Sequence, residues 1–139
     1  MSYGQLWTPE PFYYRNPLSV VLSFSGLYAP HGPTVRATYT VPAGRALRLH
    51  GVATYIIRVT AAGTPNGSAI TFTAVGVGNV LVTDLFTTLN AINDRVQREL
   101  ASEAWFGAGR VLQFTTNDNA TGGTTVMTGQ AHGTEYDAL

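Results

Sequence analysis

Apolar and polar residues alternate with a period of two along most of this chain. LSVVLSF at 18–24 reads as a buried strand, and VRATYTV at 35–41 sets Val35, Ala37, Tyr39 and Val41 on one face and Arg36, Thr38 and Thr40 on the other. The longest strand signal is RALRLHGVATYIIRVT at 45–60. There Leu47, Leu49, Ala53, Tyr55, Ile57 and Val59 are expected on the apolar side, and Arg48, His50, Thr54 and Arg58 on the other, with Gly51 marking a bulge or bend. Thr64-Pro65-Asn66-Gly67 is a turn, since Asn-Gly accepts positive φ, and SAITFTAV follows as a strand. RVLQFTTN and TTVMTGQAHGTEYD form the last two strands, on either side of a loop at 118–123.

The stretch 80–104 fits two periods. Leu85, Leu89, Ile92, Val96 and Leu100 have helical spacing, with Asp84 as a cap. Strands fit as well, with a turn between Asn90 and Asp94 and alternation through Val96, Arg98 and Leu100, and this second pattern, strands with room for one helical turn, is preferred.

About eight strands separated by Gly, Pro and Asn turns predict an all-β sandwich or barrel. Two seven-residue segments nearly repeat, AGRALRL at 43–49 and AGRVLQF at 108–114, differing at three positions. In each, a glycine ends a turn, an arginine follows, and an alternating strand begins. Two such corners suit a jelly-roll-like β-sandwich, whose chain is wound double. Residues 1–17 stand apart as an N-terminal arm, because Pro9, Pro11 and Pro17 forbid a helix or central strand while Tyr3, Trp7, Phe12, Tyr13 and Tyr14 demand burial. The arm either folds back over its own domain, residues 18–139, or reaches a neighbouring subunit. In the second case Trp7, Phe12, Tyr13 and Tyr14 are its anchors and Arg15 adds a bidentate pairing.

Composition sharpens this picture. Asp, Glu, Lys and Arg make up only 12% of 139 residues, about half the usual share. So thin a charged cover predicts that part of the surface is hidden against other molecules. The formal net charge is zero, which excludes a basic field for nucleic acid and an acidic tail for basic partners. Cysteine is absent, so disulfides and thiolate metal sites are excluded. The N-terminus lacks the pattern of a secretory signal and no stretch of eighteen apolar residues occurs, so no membrane partner is expected.

Catalytic chemistry finds little support. His31, His50 and His132 lack the H-x-H pair of a sandwich metal site, no G-x-S-x-G occurs, and Glu99 with Glu103 reads as a solvated pair. Asn117-Asp118-Asn119 lacks the spacing and terminal Glu of a calcium loop. No metal, cofactor or enzymatic activity is therefore expected. Arg48, His50 and Arg58 form a candidate interface face. Trp105 and Tyr55 are candidates for stacking on sugar rings, which keeps a carbohydrate-binding or receptor-binding module as the alternative.

The succession YTVPAGRALRL, IIRVTAAGT, WFGAGRVLQFTTNDNATGGTTV and AHGTEYDA, covering residues 35–138, resembles small jelly-roll virion proteins of bacteriophages. That group includes capsid decoration or cement proteins and minor coat or tail-associated proteins. The resemblance lies in turns: a VPAG turn opening a long strand, an AGD or AGR turn near the end, and a terminal GxEY. Arg110 stands where the pattern often has an acid. The resemblance implies a homo-oligomer, often a trimer, that binds a major capsid protein or other virion subunits on a particle assembled in the host cytoplasm.

Overall fold

The computed structural model describes residues 15–60, 67–75, 91–119 and 122–138, and the strand pairing of 79–83 and 87–88. Among the described residues nine strands are formed: β1 (Leu18–Tyr28), β2 (His31–Thr40), β3 (Arg45–Thr60), β4 (Gly67–Val75), β5 (Asn79–Thr83), β6 (Thr87–Thr88), β7 (Arg95–Phe106), β8 (Val111–Asp118) and β9 (Thr124–Asp137). The described part of 80–104 is extended apart from a turn at 91–94, so the strand period wins over the helical one there. Two antiparallel sheets result, ordered β1-β9-β3-β7 and β2-β8-β4-β5, with β6 beside β4, so LSVVLSF is an edge strand in which only Phe24 is buried and not the buried strand its run of apolar residues suggests. The first strand pairs with the last and the second with the second to last, which is a hairpin of the whole chain rolled across two sheets. This is the jelly roll.

The repeated phrase marks its corners. Pro42-Ala43-Gly44-Arg45 carries the chain from β2 in one sheet to β3 in the other, and Gly107-Ala108-Gly109-Arg110 carries it back from β7 to β8. Each turn closes by an Arg N–H donating to the carbonyl three residues earlier at 3.2 Å, and each places glycine at φ +77° or +83°. That left-handed third position is what a type II turn requires. The two corners touch: Val41 N–H donates to the Arg110 carbonyl at 2.9 Å and Gly109 N–H to the Val41 carbonyl at 2.8 Å. One local sequence thus solves the same geometric problem on the outward and the return path.

Between the sheets lie Phe24, Leu47, Leu49, Val52, Ile56 and Met127 from one side and Val41, Ile70, Phe72, Leu112 and Phe114 from the other, all buried. Phe114 sits 5.3 Å from Phe24 and 4.7 Å from Phe72, tilted against both, so one aromatic stack ties the two sheets. Each such side chain contributes about 1.5–3 kcal/mol by leaving water.

The simple alternation fails at register shifts in β3 and β2. In β3 the register shifts between Leu49 and Gly51, so Leu47 and Leu49 point inward, and beyond the shift Val52, Thr54, Ile56 and Arg58 do. Ala53, Tyr55 and Ile57, expected on the apolar side, face outward. In β2 a shift between Val35 and Ala37 leaves Val35 at 51% exposure, although Ala37 and Tyr39 pack on the core as expected. An extra residue on one strand reverses every later side chain.

Candidate interaction face

The outer face of the β1-β9-β3-β7 sheet is built in rows by its ladders. Trp105, Arg48, Thr134 and Ser19 stand side by side across the four strands, followed by Ala101, Gly51, His132 and Val21. The rows Glu99, Ala53, Gln130, Ser23 and Gln97, Tyr55, Thr128, Ser25 come next. Trp105 is 46% exposed, with its ring 5.9 Å from that of Tyr136. Arg48 Nη2 pairs with Glu103 at 2.5 Å. Glu103 is largely exposed, so this pair adds little stability.

Because the bulge leaves small residues at the centre of the sheet, the face is hollowed there. His50, Glu99, Leu100, Gln130 and His132 line a shallow depression of about 380 Å³, and Tyr55, Gln97 and Thr128 line a neighbouring one of about 200 Å³. The rings of His50 and His132 lie 6.1 Å apart, and a ring nitrogen of His50 is hydrogen-bonded to Thr134 at 2.9 Å. Among the described residues no group of three His, Asp or Glu is placed to hold a metal ion. What the face offers is flat aromatic surface beside amide, hydroxyl and imidazole groups, suited to stacking and hydrogen bonding.

A second polar centre lies at the corner end. Arg45, the arginine of the first repeat, donates from Nε to Glu135 at 3.0 Å, from Nη1 to Asp137 at 2.6 Å, and from Nη2 to the carbonyls of Asn16 and Glu135 at 2.8 and 3.0 Å. Tyr39 donates its hydroxyl to the other Glu135 oxygen, and Asn16 donates to Asp137. Burial, together with the bond to Glu135, pushes the Tyr39 hydroxyl up to about 12. Asp137 is held below the usual carboxylate range by the Asn16 amide and the Arg45 guanidinium. The Asp137 N–H also donates to the Arg15 carbonyl, and Ala138 N–H to the Gly44 carbonyl, both at 2.8 Å. The chain therefore enters β1 from a root clasped to its own last strand.

Of the residues expected at an interface, Trp7, Phe12, Tyr13 and Tyr14 lie outside the described residues. Arg15 is exposed, and its backbone carbonyl forms part of the root. Arg48 and His50 share the outer face, but Arg58 does not: it is fully buried between the sheets, 3.6 Å from Asp118. The β3 bulge is the reason for this correction, since it turns Arg58 to the side opposite Arg48. Tyr55 and Trp105 share the outer face with Tyr136, His132 and Gln130, which alternation within a single strand does not single out. Only the pairing of β9 against β3 brings those three to the face, and their shared parity in β9 was the available signal.

No family model matches the chain, and no curated protein does. Among solved structures it is similar to infectious bursal disease virus, Gx strain, with a TM-score of 0.47 at 8% identity over 90% of this chain and 34% of that one. The chain thus spans about a third of that protein. It is also similar to the Bacillus endospore appendages described as disulfide-linked pili, with a TM-score of 0.44 at 13% identity over 89% of this chain and 92% of that one. A third is the decameric BFDV capsid protein, with a TM-score of 0.43 at 8% identity over 88% of this chain and all of that one.

Proposed function

We propose that this chain is a structural subunit of a virus particle, of the capsid decoration or cement type found on bacteriophages, which binds copies of itself and coat subunits and catalyses no reaction. One observation carries the reading: apolar side chains stay exposed in a domain with few charges. Leu18, Val21, Leu27, Val35, Ile92 and Trp105 each leave 46–60% of their surface open to water, while only 12% of all residues are charged. Three of them, Leu18, Val21 and Leu27, lie along the one strand β1, and apolar surface covered on association gains about 25 cal/mol per Å² before the cost of ordering the partners. Aromatic anchors in the arm, rooted at Arg15 and Asn16, add contacts to a neighbour. The jelly-roll topology and an order of turns that resembles phage virion proteins support the same reading. Its mechanism is mechanical, since contacts across subunits reinforce a shell under internal pressure.

Light scattering on the purified full chain at micromolar concentration tests self-association; a discrete oligomer is expected and a monomer overturns it. Deletion of residues 2–14, which keeps Arg15 and Asn16, is expected to leave the β domain folded and to weaken co-sedimentation with shells of the coat protein. Unchanged co-sedimentation overturns the role of the arm.

The exposure of Trp105 beside Tyr136, above hollows lined by Gln97, Gln130 and His132, favours one second reading, a carbohydrate-binding face. A glycan array decides it. Binding that is lost in Trp105→Ala supports it, and an array without hits removes it.

A further inference from the structure

Sheet edges expose unpaired backbone groups, and proteins that live as monomers guard them with charges, prolines or bulges. Three edges of this sandwich have described side chains, and they are guarded very unequally. Edge β7 carries Arg95, Arg98, Glu99 and Glu103 and borders the β3 register shift. Edge β2 contains Pro33 and Arg36 and shifts register twice against β8. Edge β1 has none of these devices. Its eleven residues, LSVVLSFSGLY, include no charge and no proline and pair with β9 in an unbroken register from Leu18 to Tyr28. Between Arg15 and Arg36 the chain carries no Asp, Glu, Lys or Arg at all. Among the described residues no strand occupies the outer side of β1.

We propose that β1 is the contact edge for a second copy of this chain, joined by antiparallel β1–β1 pairing about a two-fold axis at Phe24. The sequence of β1 is self-complementary in that register. Antiparallel pairing keeps each face of the sheet continuous only if opposed residues have the same parity, and centring on Phe24 satisfies this. On the outer face Val21 then stands opposite Leu27 of the second copy, and Ser23 opposite Ser25. On the inner side Val20 meets Tyr28 and Leu22 meets Gly26. Val21 and Leu27 are 57% and 60% exposed in the single chain, and the pairing covers both. Opposed apolar residues on one face are the unit by which paired strands stabilise each other. The two four-stranded sheets become one of eight strands, and the isologous contact closes on itself without propagating into a fibre. The inference rests on the self-association part of the reading above and not on the virus. A two-fold contact gives dimers, or joins larger rings in pairs.

The test uses the full chain. Val21→Lys sets a charge on an exposed position of the single molecule and inside the proposed contact. It is expected to halve the mass of the assembly in sedimentation equilibrium while leaving the far-ultraviolet circular dichroism unchanged. Ser23→Cys with Ser25→Cys opposes two new thiols across the axis in a chain without cysteine, so mild oxidation is expected to give a covalent dimer. An assembly indifferent to Val21→Lys, together with no covalent dimer, overturns the β1 contact and leaves self-association standing. A monomeric wild-type chain overturns both. Should Val21→Lys not fold, the cysteine pair decides alone.

Discussion

Arg58 and Asp118 face each other across the two sheets with both side chains fully buried, a guanidinium nitrogen lying 3.6 Å from a carboxylate oxygen. Asp118 also accepts hydrogen bonds from Ser68 at 3.2 Å and Thr125 at 3.1 Å, so its oxygens are held from three strands. Removing two charges from water is costly, and their attraction offsets that cost only while both are present. Breaking the pair is therefore expected to destabilise far more than replacing it. Arg58→Met and Asp118→Asn should each lower the unfolding free energy by about 3–5 kcal/mol in urea titrations. The double variant should lose much less than the sum, and strict additivity would show that the two groups do not sense each other.

Stability at high pH should depend on Tyr39. Its hydroxyl ionises near 10.0 when free and at about 12 in the fold, so the folded state holds the proton more tightly. The stability this contributes is fully present below pH 10 and is lost as pH rises toward 12. Melting temperatures of the wild type and Tyr39→Phe should accordingly differ most at or below pH 9 and converge by pH 12. A gap that stays constant across that window would contradict the coupling to Glu135.

The β class and the doubled corner were legible because each rests on a local signal, alternation or glycine before arginine, whereas Thr64, Pro65 and Asn66 of the expected Asn-Gly turn lie outside the described residues. Which side of the later β3 residues faces the core was not legible. Gly51 flagged a bulge, yet the parity change it imposes depends on pairing with β7 and β9, strands more than forty residues away. For that reason Arg58 read as a surface partner of Arg48 and lies instead in the core, while Tyr55 read as core and lies outside. The Arg45 clasp was hidden for a similar reason. Its partners Asn16, Glu135 and Asp137 come from the two ends of the chain, and only the rolled topology brings them together.

The two corner glycines give a test of backbone conformation with little contribution from packing. A Cβ at Gly44 or Gly109 meets nothing within 4 Å, and both residues hold positive φ. Gly44→Ala and Gly109→Ala should each cost about 1–2 kcal/mol from the left-handed conformation alone. Gly107→Ala is the control: its surroundings are equally open and its φ is not positive, so a loss below about 0.5 kcal/mol is expected there. Equal losses at Gly107 and Gly109 would mean that turn geometry does not set the requirement for glycine.

Gly129 is constrained by space. A Cβ there would lie 2.5 Å from Phe24 Cε1 and 2.9 Å from Phe114 Cε1, inside the aromatic stack that joins the sheets. Phe114 is fully buried and wedged against Phe72, whereas Phe24 is 9% exposed on the edge strand β1, so Phe24 is the ring able to move. Gly129→Ala should cost about 1–3 kcal/mol by overpacking. Adding Phe24→Leu should then cost less in the Gly129→Ala background than in the wild type, because the smaller side chain removes the clash. A double-mutant cycle in urea reads this directly. Additive losses, with no coupling, would place the strain on Phe114 and the β8 side of the core.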